Sequence, residues 1–562
     1  MTKGSDMAVD VLFIGGPVFM GDGLPQSGCA VGVTGRDITA VVPESEADTL
    51  TGPETKIVEL NGALLAPGFQ DAHMHPIGGG VELLQCNLSE STSADDAVAA
   101  VARYAAANPD EPWILGGGWS MDHFAGGAPT RDLLDAVVPD RPVLLMSRDH
   151  HSSWANTAAI RLAGIDATTQ DPADGRIERE PDGAPAGTFH EGAGELFAQV
   201  TPPLDAELAY RGLLRAQEEA IALGITGWQD AMVGDTGPGR GTIEAYTRAL
   251  DEGTLLVHVV GAQWWERGIG LEQIDGMLTR RDARRASGTA DRFDLGTVKM
   301  MVDGVAENFT AAMLEPYRDA HGHNTHNHGI SFVDPELMRE AVTALDAAGL
   351  QVHFHALGDR AVRDALDAVD AARSANGPSD ARHHLAHLQV VAEADTPRFA
   401  ELGAVANLQA LWATHEEQLD TLTLPFLQEG AESRQYPFGE LHRAGARLAA
   451  GSDWPVSSAD PLAAIHIAVT RVAPGITAGP LGGAEQRLDL ATAFAAYTSG
   501  SAYVNHRDHN TGAIRPGMLA DLVVISPNPF ELPSEDVHTA RVSSTWINGR
   551  PVYTRTPDLE EL

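Results

Sequence analysis

The sequence predicts an α/β fold built on a (β/α)8 barrel, and three observations point there. Eight short, nearly continuous apolar runs recur between residues 63 and 456, most of them preceded by a helical segment. A histidine, lysine or aspartate interrupts five of these runs near their C-terminal ends. Both chain ends lack the alternation and read instead as short strands separated by turns.

The N-terminal part supplies "VDVLFIGGPVF", "AVGVTG", "DITAVV" and "KIVEL", rich in Val and Ile and punctuated by Gly, Pro and Asp. The expected barrel strands follow: "ALLAPGFQDAHMH" (63–75), "GITGWQDA" (224–231), "LLVHVVGAQW" (255–264) and "LGTVKMMVDG" (295–304). The other four are "LQVHFHALGD" (350–359), "RHHLAHLQVV" (382–391), "GAVANLQALW" (403–412) and "ARLAAGSDWPV" (446–456). Such runs suit parallel strands buried on both faces, and eight of them alternating with helices suit a barrel. "AYRGLLRAQEEAIAL" precedes the second strand and "PELMREAVTALDAAG" the fifth. Residues from about 87 to 205 hold far more than one helix and read as an insertion after strand 1. The chain closes on further β-like segments, "GMLADLVVIS", "ARVSSTWING" and "RPVYT". The expected boundaries are 1–66, 67–505 for the barrel with its insertion, and 506–562.

Composition narrows the function. With 562 residues, 43% hydrophobic and 21% charged, the chain has a globular composition and room for more than one core. A formal charge of −40 repels phosphate backbones and anionic lipid, so neither nucleic acid nor membrane is an expected partner. Two cysteines, Cys29 and Cys86, make no disulfide framework and no Cys-rich metal site. The first residues do not form a signal peptide and no apolar run is long enough to span a bilayer, which predicts a cytoplasmic protein.

The stretch "PGFQDAHMHPIGGG" (67–80) carries the first chemical signal. Residues i and i+2 of a strand share a face, so His73 and His75 project side by side with Asp71 below them. Two neutral imidazoles on one face are half a metal site. Lys299 on strand 4, His353 and His355 on strand 5, His387 on strand 6 and Asp453 on strand 8 fall near strand C-termini as well. In a barrel these ends converge on one mouth, where active sites form. Burial of Lys299 lowers its pKa, and a neutral lysine can react with carbon dioxide to give a carbamate that bridges metal ions. A buried ion pair with Asp303, on the same strand face, is the alternative.

The motifs "PGFQDAHMH", "KMMVDG", "HFHALGDRAV", "RHHLAHLQVV", "GSDWPV" and "TGAIRPGMLADLVVI" resemble the amidohydrolase superfamily, specifically its amidohydrolase-3 branch, which contains N-substituted formamide deformylases. The resemblance runs from about residue 9 to 555. It implies a metal-dependent hydrolase whose barrel is joined to a β-sandwich made from both chain ends. It also implies His73, His75, Lys299, His355, His387 and Asp453 as metal ligands, with Lys299 carboxylated and Asp453 also the general base. The expected cofactor is one or two divalent ions, most simply Zn2+, with iron or manganese also compatible. A homodimer is implied only at the family level.

Some positions depart from that pattern. "RHHLAH" carries His384 and Ala386 where a basic residue and a glutamate are expected, which alters the neighbours of His387. His353, one pleat deeper than His355, is expected to pack or support a ligand, with direct ligation the alternative. In "RDHHSSWANT", His150 replaces a glycine and His151 matches the family histidine, as a substrate contact or a helix cap. His190 and Glu191 in "TFHEGA" are expected to be structural, and the His-rich loop 321–329 to be solvated.

Trp119, Trp154, Trp412 and Trp454 lie in segments expected to border the mouth, either walling a substrate pocket or packing the insertion against the barrel. With His151, the first, third and fourth are the candidate substrate contacts. An aromatic-walled pocket suits a small apolar amide such as an N-alkyl or N-aryl formamide. The competing readings are a deaminase of the same superfamily, disfavoured by Lys299, and a non-catalytic scaffold, disfavoured by six competent ligand positions.

Overall fold

The computed structural model describes residues 8–235 and 239–556. Its centre is an eight-stranded parallel sheet rolled into a barrel. The strands, in chain and spatial order, are Phe69–Met74, Ile225–Val233, His258–Trp264, Phe293–Met301, Gln351–Ala356, His384–His387, Val405–Leu408 and Arg447–Ala450. Each falls inside or overlaps an expected run. They are called barrel strands 1 to 8 below. The expected helices before strands 2 and 5 form over Ala206–Ala222 and Pro335–Ala347.

Strand 8 meets strand 1 just beyond the strand ends. Asp453 N–H donates to the His73 carbonyl at 2.7 Å and His75 N–H to the Trp454 carbonyl at 2.8 Å. The outward faces of the strands, such as Val298, Met300, Val352 and Phe354, bury against helix residues such as Val342 and Val362 in one large core. That leaves the inward faces to carry polar groups.

The first expected run, 63–75, is two strands. Leu64–Pro67 pairs antiparallel with Leu522–Ser526, and Phe69–Met74 enters the barrel. The change of sheet occurs at Gly68, where a Cβ would lie 2.3 Å from Thr226 Cγ2. Only glycine lets the backbone pass that close.

Two four-stranded sheets lie outside the barrel. One contains Val11–Ile14, Cys29–Thr34, Asp37–Pro43 and Lys56–Glu59; the other contains Leu64–Pro67, Leu522–Ser526, Arg541–Ile547 and Arg550–Thr554. They share an apolar cluster in which Phe13 meets Trp546 edge to face, centroids 5.1 Å apart.

Between barrel strands 1 and 2 the chain builds a six-stranded sheet, from Cys86–Asn87 to Pro185–Glu191. Here one expectation is corrected. Trp119 and Trp154 are wholly buried in the core of this sheet, 6.2 Å apart and both against Phe124. Their indole N–H groups donate to the carbonyls of Leu145 and Thr130, each at 2.9 Å. Trp119 therefore packs inside this sheet and is not a wall of the mouth. Among the described residues, no helix is long and apolar enough to cross a membrane.

Candidate metal centre

Strand 1 delivers the first imidazole. Asp71, His73 and Ala449 on the neighbouring strand 8 are all buried. Asp71 Oδ1 accepts from His73 N–H at 2.9 Å and from Ser452 N–H at 3.1 Å. Burial pushes the Asp71 carboxyl up to about 7, against these hydrogen bonds. Asp71 thus ties strand 1 to the turn that carries Asp453. His75 lies one residue beyond strand 1 and opens the helix Pro76–Leu84. Gly79 in that helix admits the Trp454 ring, since a Cβ would lie 2.5 Å from it.

The side chains converge on one carboxylate. His73 Nε2 lies 3.0 Å and His75 Nε2 3.1 Å from Asp453 Oδ1, and His387 Nδ1 lies 3.8 Å from Asp453 Oδ2. Ligand atoms of His73, His387 and Asp453 all fall within 4.8 Å of one another. The His355 ring lies 4.4 Å from that of His387. Lys299 is buried on strand 4, where Asp453 is the charge that stabilises its ammonium. His387 (φ 83°) and Asp453 (φ 55°) both hold left-handed backbone, uncommon for residues with a Cβ.

Electrostatics favour a cation at this point. Burial lowers His73 to about 3, with the Lys299 charge adding to the effect. Burial also holds His355 and His387 well below the ordinary imidazole value, so these rings are neutral. Burial acts to raise Asp453, but the neighbouring His73 outweighs it with His75 and His387, and the carboxyl stays well below its usual range. Burial brings Lys299 down to about 7.

The donor set also fits a metal on its partnering. Asp453 Oδ1, His75 Nδ1 and both ring nitrogens of His387 are buried and lack hydrogen-bond partners. Buried polar atoms are normally paired. Two nitrogens near 3 Å from one carboxylate oxygen are spaced much like ligands about 2.0 Å from a common ion, whose tetrahedral edge is about 3.3 Å. The Asp303 alternative for Lys299 does not form. Asp303 accepts instead from the backbone N–H groups of Ala312, Leu357 and Gly358.

Around the cluster, His151 Nδ1 lies 2.9 Å from Glu191 Oε2, and its ring is 5.5 Å from His355. Burial opposes charge on His151, but Glu191 prevails and raises it to about 9. Glu191 also accepts from Thr310 Oγ1 at 2.6 Å. His190 is held by Ser152 and Glu178 within the six-stranded sheet. In the 321–329 loop, His323 is exposed and pairs with Asp319. A cavity of about 720 Å³ opens beside the cluster, lined by Trp412, Trp454, Glu82, Asp149, Glu307 and Glu416 among others. Arg148 is 3.9 Å from Glu416, and Arg360 donates to the His328 carbonyl. Arg148 also lines the cavity.

Gln229, Asn407 and Gln409 complete the buried polar interior, and the sequence reading missed all three. Their signal was present: each is an amide inside a run otherwise apolar enough for a barrel strand, where an unpaired amide is costly.

A parallel barrel whose C-terminal mouth gathers imidazoles around one aspartate is the architecture of a metal-dependent hydrolase. The chain belongs to the amidohydrolase family, whose profile matches residues 56–553. It is 30% identical over 564 residues to the protein LONG AFTER FAR-RED 3 of Arabidopsis thaliana, covering 98% of this chain and 93% of that one. It is 26% identical over 567 residues to an N-substituted formamide deformylase of Arthrobacter pascens, covering 97% and 99%. The crystal structure of an uncharacterized metal-dependent hydrolase from Pyrococcus horikoshii OT3 shares the fold, with TM-score 0.70, 22% identity and coverage of 93% and 99%.

Proposed function

We propose that the protein hydrolyses a non-peptide C–N bond in a small neutral amide, with N-substituted formamides as the leading substrate class. The observation that carries this reading is Asp453 Oδ1, a buried and unpartnered carboxylate oxygen between His73 and His75. His73, His75, His355, His387, Asp453 and a carboxylated Lys299 would hold one or two divalent ions, most simply Zn2+. A cation there would lower the pKa of water and polarise the substrate carbonyl.

The chain's own groups do the rest. Asp453 stays ionised and takes a proton from the attacking water as the C–O bond forms. It returns that proton to the leaving nitrogen as the C–N bond breaks. His151, kept cationic by Glu191, donates a hydrogen bond to the carbonyl oxygen as negative charge grows on it. Lys299, brought down to about 7, has a neutral fraction that adds to carbon dioxide and releases one proton.

Trp412 and Trp454 offer apolar walls, and acidic side chains such as Glu82, Asp149 and Glu416 outnumber Arg148 and Arg215 around the cavity, which favours a neutral over an anionic substrate. The likeness to a formamide deformylase supports the choice of substrate class. We also read the two outer four-stranded sheets as one composite β-sandwich, and the six-stranded sheet as an insertion roofing the mouth.

Metal content per chain, with Lys299→Ala alongside, tests the site. Near two ions falling to one or none supports the bridged arrangement, and one ion in both removes the carbamate. Formate release from a formamide panel supports the substrate class. Ammonia release instead overturns it in favour of a deaminase.

A further inference from the structure

Beneath the cluster, five buried side chains form a continuous hydrogen-bonded chain across the barrel. Asn407 Nδ2 lies 3.2 Å from His384 Nδ1; His384 Nε2 lies 2.9 Å from Gln229 Oε1. Gln229 Oε1 lies 2.6 Å from His353 Nδ1, and His353 Nε2 lies 2.6 Å from His73 Nδ1. All five side chains belong to residues at most 1% exposed.

The direction of every bond follows from backbone groups that cannot reverse. Asn407 Nδ2 also meets the Ala72 carbonyl at 2.9 Å, so it is the donor end of the amide. The other end, Oδ1, accepts from Gln409 Nε2 at 3.1 Å. Gln409 is itself fixed, because its Oε1 accepts the His387 backbone N–H at 2.6 Å. Asn407 therefore donates to His384 Nδ1, and neutral His384 carries its proton on Nε2.

A second anchor reaches the same answer from the other side. Gln351 Nε2 donates to the carbonyls of Arg382 and Val504 at 2.7 and 2.8 Å, which leaves Gln351 Oε1 to face Gln229 Nε2 at 3.4 Å. Gln229 Oε1 is thus the end that meets both histidines, and it can only accept. His353 must donate from Nδ1; its ring is wholly buried between Gln229 and His73 with no carboxylate paired to it among the described residues, so it carries one proton, Nε2 accepts and His73 donates from Nδ1.

We propose that Asn407, His384, Gln229 and His353 are positioning residues that keep the His73 proton on Nδ1 and leave Nε2, 3.0 Å from Asp453 Oδ1, as the free lone pair. The consequence is a ligand pre-set for a cation. A His73 ring of the opposite tautomer would carry its proton on Nε2, 3.0 Å from Asp453 Oδ1, and leave no lone pair there for a cation. The chain also gives His384, a departure from the family pattern, a specific task. The inference rests on the metal site proposed above, but the tautomer can be observed without metal.

The first test is neutron diffraction of the metal-free protein. Deuterons on Nδ1 of His73, Nδ1 of His353 and Nε2 of His384 are expected. A deuteron on Nε2 of His73, or a doubly protonated His353, overturns the proposal. The second is zinc affinity by chelator competition for His353→Gln and His353→Leu, each shown folded by circular dichroism. An amide at 353 can accept from His73 and donate to Gln229 in the same direction, whereas leucine can only pack. Zinc binding within threefold of the parent for His353→Gln, with at least a tenfold loss for His353→Leu, is expected on the usual scale of ligand-supporting contacts, about 10–100-fold. Equal affinities in the two variants would reduce His353 to packing. A parent that binds no zinc would defeat the metal reading, and the neutron map would still decide the relay.

Discussion

Trp412 lies flat against His387, with ring centroids 5.2 Å apart and planes 10° from parallel. The indole faces the cavity on one side and a candidate ligand on the other. It therefore fixes the imidazole plane while offering an apolar wall. Trp412→Ala should lower kcat/KM about tenfold, equivalent to about 1.4 kcal/mol, with Trp412→Phe much closer to the parent. An unchanged kcat/KM in the alanine variant would show that the stack has no functional weight.

Asp453→Asn keeps the shape of the side chain but removes both its charge and its capacity to take a proton. Loss of a positioned general base alone typically costs about 10²–10⁴-fold in rate. Zinc affinity should fall too, because Asp453 Oδ1 is the atom on which His73 and His75 converge. Full turnover in Asp453→Asn, at matched metal content, would remove Asp453 from the mechanism.

The His151–Glu191 pair predicts a pH dependence. The folded value of His151, about 9, lies above its ordinary 6.5. Protonated His151 therefore contributes stability that is fully present below about 6.5 and is lost as pH rises through about 9. Glu191, held below its ordinary 4.5, contributes in the opposite sense, and its share is lost as pH falls below that value. Glu191→Gln should move the alkaline loss of activity and of thermal stability to lower pH. Identical pH profiles for parent and variant would show that the pair does not govern His151.

The barrel was legible because its strands obey two constraints at once. A run such as "TVKMMVDG" is apolar enough to be buried on both faces, so the single lysine inside it needs a chemical reason. His73, His75, His387 and Asp453 announced themselves similarly, as polar residues at strand ends. Trp119 took the packing role, because proximity of its segment to the mouth says nothing about which way the ring turns and the six-stranded sheet needed a core of its own. Gln229 and Asn407 stood out only as amides in apolar runs, and their roles could not be read because one amide in a strand has many possible partners. Only the closed barrel, which sets Gln229 on strand 2 beside His353 on strand 5 and His384 on strand 6, selects one.

The glycines after His75 have a packing role that can be tested apart from chemistry. A Cβ on Gly80 would lie 1.9 Å from the carbonyl oxygen of Gly212, and one on Gly212 would lie 2.7 Å from Val81 Cγ2. The helix Pro76–Leu84 thus crosses Ala206–Ala222 at backbone contact, through glycine on both sides. The same helix follows His75 directly and packs beneath Trp454 at Gly79, so its seating sets the height of one imidazole and one cavity wall. Gly80→Ala must push the helices apart, at about 1–3 kcal/mol on the scale of core overpacking. The expected result is an earlier thermal transition together with weaker zinc binding, since His75 moves with the helix. A variant with the parent's melting profile and zinc affinity would show that the crossing tolerates the extra atom and that His75 is positioned by its bond to Trp454 alone.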